Sequence, residues 1–219
     1  MEHHMKNAEV STRVMDVISL FPTPLFINRV PDISICARLV NSIAKLKTKK
    51  LGTFEFDNFY TYDDLQYNED FYELRDLLLH DTNDILDFLK VKRQNHYISG
   101  MWANVTNPNH RHHVHIHPNS LLSGVIYIKT PENCAGTLFT DPRPGARVFE
   151  PSYEEFSIWN SGRFNFPAET GSIITWPSWM SHGVERGFTV DETEERIVIA
   201  FNVQMVGNIE TLTAKLELK

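Results

Sequence analysis

Five short runs rich in β-branched and aromatic residues crowd this chain from His96 onward. They are His96 to Thr106, Leu121 to Lys129, Gly136 to Thr140, Ser172 to Trp176 and Arg196 to Met205. Turn residues separate them: Asn107-Pro108-Asn109, Pro131-Glu132-Asn133, Asp141-Pro142-Arg143-Pro144-Gly145 and Ser161-Gly162. Strands this short and this closely spaced predict a sandwich or a barrel. With 219 residues and 42% hydrophobic content, the chain is long enough for one domain with a substantial core.

The first 92 residues read differently. Ser19 to Ile27 is a strand interrupted by Pro22 and Pro24, hence an edge or entry segment. Asp32 is a candidate N-cap, and Ile35, Leu39, Ile43 and Leu46 recur at helical spacing until Lys49, Lys50 and Gly52 mark an end. Thr53 to Tyr62 looks extended. Leu74, Leu78, Ile85 and Leu89 define a second helical face, expected to break near His80 to Asn83. Helices first and strands after make the class α+β. The expected organisation is a single domain, 1–219. Residues 1–92 form a mainly helical support without site chemistry, and 93–206 form the core.

A net charge of −7 without a basic stripe argues against nucleic acid or an anionic membrane as partner. No stretch approaches the roughly 20 apolar residues that span a bilayer. Met1 to Met5 lacks the charged start and apolar centre of a signal peptide, so a cytoplasmic location is expected. Cys36 and Cys134 stand far apart, which suits neither a disulfide framework nor a zinc finger.

Of ten histidines, five (His110, His112, His113, His115 and His117) fall within eight residues. Alternate residues of a strand point the same way, so His115 and His117 can face one metal together. His113 and His115 form another such pair, which leaves the register open by one pair. The bland reading of this stretch is a polar, solvated loop. His182 follows a run with two tryptophans, Trp176 to Trp179, and is the one downstream histidine available as a third ligand. Its alternative role is a histidine packed beside core tryptophans. Arg196 heads the last apolar run, where an inward cation needs an anion; it suits a carboxylate held bidentately, with Arg186 as fallback. The competing reading pairs Arg196 with the acidic run Asp191 to Glu195. Tyr127 can donate to the same carboxylate. Together these residues read as a mononuclear iron site with an organic-acid cosubstrate. His113, Asn119 and Trp179 are substrate-side candidates. Asp141 to Gly171, with Phe149, Tyr153, Phe156, Trp159, Phe164 and Phe166, is a candidate substrate-covering loop.

In detail, H-x-H-P-x-S-x-x-S-G, D-P-R, W-P-S-W-x-x-H and R-x-x-I-A-F-N stand in that order. This pattern resembles the 2-oxoglutarate- and iron(II)-dependent dioxygenases, from about His96 to Met205. Together with Phe21-Pro22-Thr23-Pro24, it looks like a largely uncharacterised branch of marine bacteria and their phages. The resemblance implies a double-stranded β-helix core, of jelly-roll or cupin-like type, with the N-terminal helices packed against it. It implies iron(II), 2-oxoglutarate as cosubstrate and O2, with hydroxylation of a C–H bond as the default outcome. It leaves the substrate open, small molecule or protein, and allows a homodimer through the N-terminal helices.

The family's usual His-x-Asp/Glu does not occur in this chain. Three readings follow: a three-histidine site of His115, His117 and His182; Asp141 as the carboxylate from another strand; or a degraded site marked by Asn119. Two further readings compete with the enzyme: a cupin-like metalloprotein that does not use 2-oxoglutarate, and a non-catalytic binding module on the same barrel.

Overall fold

The computed structural model describes residues 15–55, 58–92, 95–143, 145, 148–189, 191, 193–210 and 213–218. Met1 to Met5, Pro144, Ala146, Arg147 and Glu192 lie outside these. The elements run β1 (Phe26–Arg29), α1 (Ser34–Thr48), β2 (Gly52–Glu55), β3 (Asn58–Thr61), two short 3₁₀ turns, then α2 (Tyr72–Phe88). There follow β4 (Asn95–Thr106), β5 (His112–His115), β6 (Leu122–Lys129), β7 (Thr137–Thr140) and β8 (Arg163–Phe166). Last come β9 (Ser172–Pro177), β10 (His182–Val184), β11 (Arg196–Glu210) and β12 (Lys215–Leu218).

Two antiparallel sheets result. The larger has the order β1-β9-β6-β11-β4-β3-β2, with β12 added to the far end of β11; the smaller has the order β5-β10-β7-β8. Strand β11 holds the larger sheet together, because it pairs along its length with β4 on one side and with β6 on the other. All five runs expected to be strands are strands. The short β8, β10 and β12 were not foreseen, and the strand expected through His115 and His117 is β5, which stops at His115.

Strand alternation gives the larger sheet two different faces. From β11, Ile197, Ile199, Phe201 and Val203 join Met101, Ala103 and Val105 of β4 under the helices. Ile35, Leu39 and Ile43 of α1 and Leu74, Leu78 and Ile85 of α2 complete that core. The opposite face meets the smaller sheet: Tyr127, Ile174, Trp176 and Val198 pack with Phe139 and Phe166. This is a jelly roll with helices on one outer face, as expected.

The N-terminal 92 residues contribute more than helices. Strands β1, β2 and β3 extend both edges of the larger sheet beside the two helices. The strand read before Ile27 and the extended run Thr53 to Tyr62 are thus strands, and what local pattern did not carry is their docking on β9 and β4. The edge strand begins only after Pro24, at Phe26, opposite Thr175 of β9. Asp32 accepts a hydrogen bond from the Ser34 amide (2.9 Å) and so serves the start of α1. Helix α2 does not break near His80. Thr82 and Asn83 turn their side chains back onto the Leu78 and Leu79 carbonyls (2.7 and 3.0 Å), and buried Asp81 accepts from Asn28 of β1 (2.8 Å). Residues that read as a break are thus absorbed by local and sheet contacts. No helix among the described residues is long and apolar enough to cross a membrane.

Gly124 sits in β6 between β11 and β9, where the Phe201 ring leaves no room for a side chain. A Cβ there would also lie 2.7 Å from the Ile174 carbonyl oxygen. Overpacking a closed site of this kind costs about 1–3 kcal/mol. Gly124→Ala is therefore expected to lower unfolding stability by that amount in a urea titration, with the m-value unchanged.

Candidate metal centre and its cavity

His115 ends β5 and His182 begins β10, and antiparallel pairing sets the two residues directly opposite each other. Their rings lie 4.4 Å apart between centroids. The close approach needs Gly183, since a Cβ there would meet the His112 carbonyl oxygen at 2.8 Å. His117 follows β5 and is tied by its amide to the Ser178 carbonyl (3.1 Å), just before His182. The three imidazoles come from two strands and a tied loop, and their positions are set by backbone bonds.

The ring orientations follow from hydrogen bonds. His115 donates Nδ1–H to the His113 carbonyl (2.8 Å), and His182 donates Nδ1–H to the Met180 carbonyl (2.9 Å). Each therefore holds its Nε2 lone pair toward the common centre. His117 Nε2 lies 3.2 Å from both of those nitrogens. One proton on His117 cannot serve two lone pairs at once, whereas a single cation serves all three. An imidazole–metal bond of about 2.1 Å sets neighbouring ligand nitrogens about 3.0 Å apart at right angles and about 3.4 Å apart at the tetrahedral angle. The observed spacing falls between these values, so the residues fit a divalent metal. Among the described residues, this is the one group of three or more histidine, cysteine or carboxylate ligands brought within 4.8 Å.

Aromatic rings wall the cluster. Trp176 meets His182 edge-on at 4.6 Å, Phe139 lies 6.3 Å from the same ring, and Trp102 stacks on His117 at 5.9 Å. Burial lowers the His182 pKa to about 3 and that of His117 to about 4, with the neighbouring imidazoles adding to both effects. Neutral rings are the form a metal takes up.

The three histidines open onto a cavity of about 160 Å³ that Arg196 also lines. Arg196 is 4% exposed, and its Nε–H donates to the Ala135 carbonyl (2.8 Å). Its guanidinium carbon lies 5.7 Å over the Tyr127 ring. No described carboxylate pairs with it. In the acidic run that competed for it, Glu195 bonds Lys47 (2.5 Å) and Asp191 holds the Thr193 amide (2.9 Å). Burial therefore depresses the Arg196 pKa, and the neighbouring Tyr127 and Cys134 oppose that effect. A buried guanidinium with no acid beside it is a prepared anion site.

Several candidates fall elsewhere. Asp141 is not part of the ligand group; Arg143 holds its carboxylate at 2.9 and 2.6 Å. The Tyr127 hydroxyl bonds Thr137 Oγ1 (2.7 Å), and Thr137, rather than Tyr127, lines the cavity. His113 is exposed, so the open register resolves to His115 and His117. Asn119 is a turn residue at φ 60° whose carbonyl accepts from Gln204 (2.7 Å). Trp179 is 56% exposed, and Arg186 is exposed outside the cavity. In the candidate covering loop, Phe149, Phe156 and Trp159 are exposed, while Arg163–Phe166 is strand β8, paired with β7. Sequence reasoning missed Trp102, Asn104 and Thr106, although alternation with buried Met101, Ala103 and Val105 would have turned them toward the cavity. It also missed Tyr60, for which no local signal existed, and gave no role to His110, although it counted that residue in the histidine cluster.

Part of the sequence, and the fold, are similar to those of known proteins. Residues 100–202 match the family described as "Putative 2OG-Fe(II) oxygenase". No curated protein sequence matches the chain. Among solved structures, HygX from Streptomyces hygroscopicus with nickel and 2-oxoglutarate bound is similar at TM-score 0.56 and 14% identity, covering 84% of this chain and 83% of that one. A Pseudomonas putida prolyl-4-hydroxylase is similar at TM-score 0.60 and 12% identity, with 84% and 94% covered. SnoN, a non-heme alpha ketoglutarate dependent epimerase from nogalamycin biosynthesis, gives TM-score 0.60 and 12% identity, with 88% and 83% covered. At these identities the likeness is one of fold, and that fold is the double-stranded β-helix.

The depressed pKa values of His117 and His182 have a consequence for metal-free protein. In the unfolded chain these rings take up protons below about pH 6.5, whereas in the fold they resist protonation down to about 4 and 3. Stability is thus complete above about pH 6.5 and is lost progressively as pH falls toward 4. Thermal melts of chelator-treated protein should show this decline, and His182→Gln should flatten it.

Residues 100–202 are thus similar to an oxygenase family, and the solved structures share the fold that brings the three histidines together.

Proposed function

We propose that this chain is an iron(II)- and 2-oxoglutarate-dependent oxygenase, with iron held by His115, His117 and His182. Arg196 then binds the distal carboxylate of 2-oxoglutarate, and the reaction hydroxylates a C–H bond of a small-molecule or protein substrate. One observation carries the reading: three converging imidazole nitrogens and a buried guanidinium without a carboxylate partner among the described residues line the same cavity.

When bound, iron(II) with O2 supplies the oxidising power, as 2-oxoglutarate is converted to succinate and carbon dioxide and one oxygen atom enters the substrate. The chain's own residues do the rest. The Met180 and His113 carbonyls hold two ligand rings in the tautomer that faces the metal. Along β4, Trp102 marks the metal end and Thr106, the register partner of Arg196, the anion end. Four residues of strand separate them, about 13 Å. An extended arginine side chain and a five-carbon diacid together span that gap. Trp176 and Phe139 exclude water on the inner side. Three neutral ligands leave the site one charge more positive than a set containing a carboxylate, which strengthens its hold on a dianion.

His182→Ala and Arg196→Ala separate the two roles. The first is expected to lose iron. The second is expected to keep iron and to weaken 2-oxoglutarate by about 2–5 kcal/mol, the cost of truncating one partner of a buried charge pair; that is about 30-fold or more in Kd. Calorimetric titration with each ligand reads both effects, and equal iron loss in the two variants would make Arg196 structural.

A further inference from the structure

A line of hydrogen bonds on the N-terminal side of the cavity sets the direction of a proton. Asn58 and Tyr60 stand two apart in β3, so their side chains share a face. Tyr60 lies opposite Asn104 in the β3–β4 register, on the face that carries Trp102 and Thr106 into the cavity. Asn58 Oδ1 accepts the Asn107 amide proton (3.0 Å), which fixes the orientation of its carboxamide. Its Nδ2 therefore faces His110 Nδ1 as donor (3.3 Å). With Nδ1 accepting, the neutral imidazole carries its proton on Nε2 and donates it to the Tyr60 oxygen (3.4 Å). The Tyr60 proton must then point away from His110.

The groups stay in the forms this line requires. Burial, helped by the nearby Arg196 charge, lowers the His110 pKa and keeps the ring neutral. Burial likewise raises the Tyr60 pKa, so the hydroxyl keeps its proton. Tyr60, His110 and His112 line the cavity where it reaches the space between the β3 side of the larger sheet and the β5 edge of the smaller one.

We propose that Tyr60 presents its hydroxyl proton to an oxygen acceptor, a carboxylate or a carbonyl, on the organic molecule bound in this cavity. Asn58 and His110 are the positioning residues that fix the direction of that donor. The occupant's identity rests on the function proposed above; the proton's direction does not.

Two measurements test this. The first is the nitrogen NMR spectrum of the imidazoles in zinc-loaded protein, assigned with a His110→Gln variant. His110 should carry its proton on Nε2; a proton on Nδ1 would overturn the proposal, whatever the cavity binds. The second compares wild type with Tyr60→Phe, using 2-oxoglutarate on zinc-loaded protein and benzamide on protein already holding both. Loss of about tenfold or more in 2-oxoglutarate affinity, with zinc affinity unchanged, supports the proposal and identifies the acceptor as the cosubstrate's carboxylate. Loss of about threefold for benzamide alone supports it with a substrate-side carbonyl as acceptor. Unchanged affinity for both probes overturns it. Failure of wild type to bind 2-oxoglutarate would strike the proposed function instead, and the tautomer would still decide the orientation of Tyr60.

Discussion

Three imidazole nitrogens aimed at one point are the interaction on which the remaining architecture turns. Lone pairs 3.2 Å apart repel one another, and no arrangement of protons at the cluster satisfies all of them. The fold enforces this costly convergence by placing His182 opposite His115 in the β5–β10 ladder and by tying His117 to Ser178. Gly183 allows the two strands to close to that distance. A cation resolves the conflict, and the aromatic walls and depressed pKa values keep the ligands ready for it. Among the described residues no carboxylate joins the cluster, which would leave a bound cation more net charge with which to meet an anion.

The larger sheet turns this local constraint into a site with direction. One face is spent on the helices through Ile197, Ile199 and Phe201. The same strand's alternate residues, Arg196, Val198 and Ala200, line the cavity. Stability and function therefore run on opposite parities of a single strand. A one-residue slip of β11 would move Arg196 out of the cavity and an isoleucine into it. Extensive pairing of β11 with both β4 and β6 guards against such a slip.

Much of this was legible in the residues. His115, His117, His182 and Arg196 were recognisable because chemistry and period-two spacing coincide at those positions. The helical face of α1 was legible because Ile35, Leu39 and Ile43 recur at its period. What escaped had non-local causes. β1 and β3 join the larger sheet through partners distant in sequence, and Tyr60 and Asn58 gain their role only through pairing with β4 and contact with His110. Helix α2 continues past His80 because Thr82 and Asn83 bond back to its own turns, an outcome open to both residue types. Tyr127 was expected to reach the cosubstrate, but its hydroxyl is bonded to Thr137 behind the cavity wall.

The most direct test of the account is anaerobic addition of iron(II) and then 2-oxoglutarate to the purified protein, followed by visible absorption. The account predicts a charge-transfer band that requires both additions, since metal and diacid share one cavity between the histidines and Arg196. Iron binding without that band would contradict the proposed cosubstrate and leave a metal protein of another kind. Failure to bind iron at all would contradict the metal centre itself.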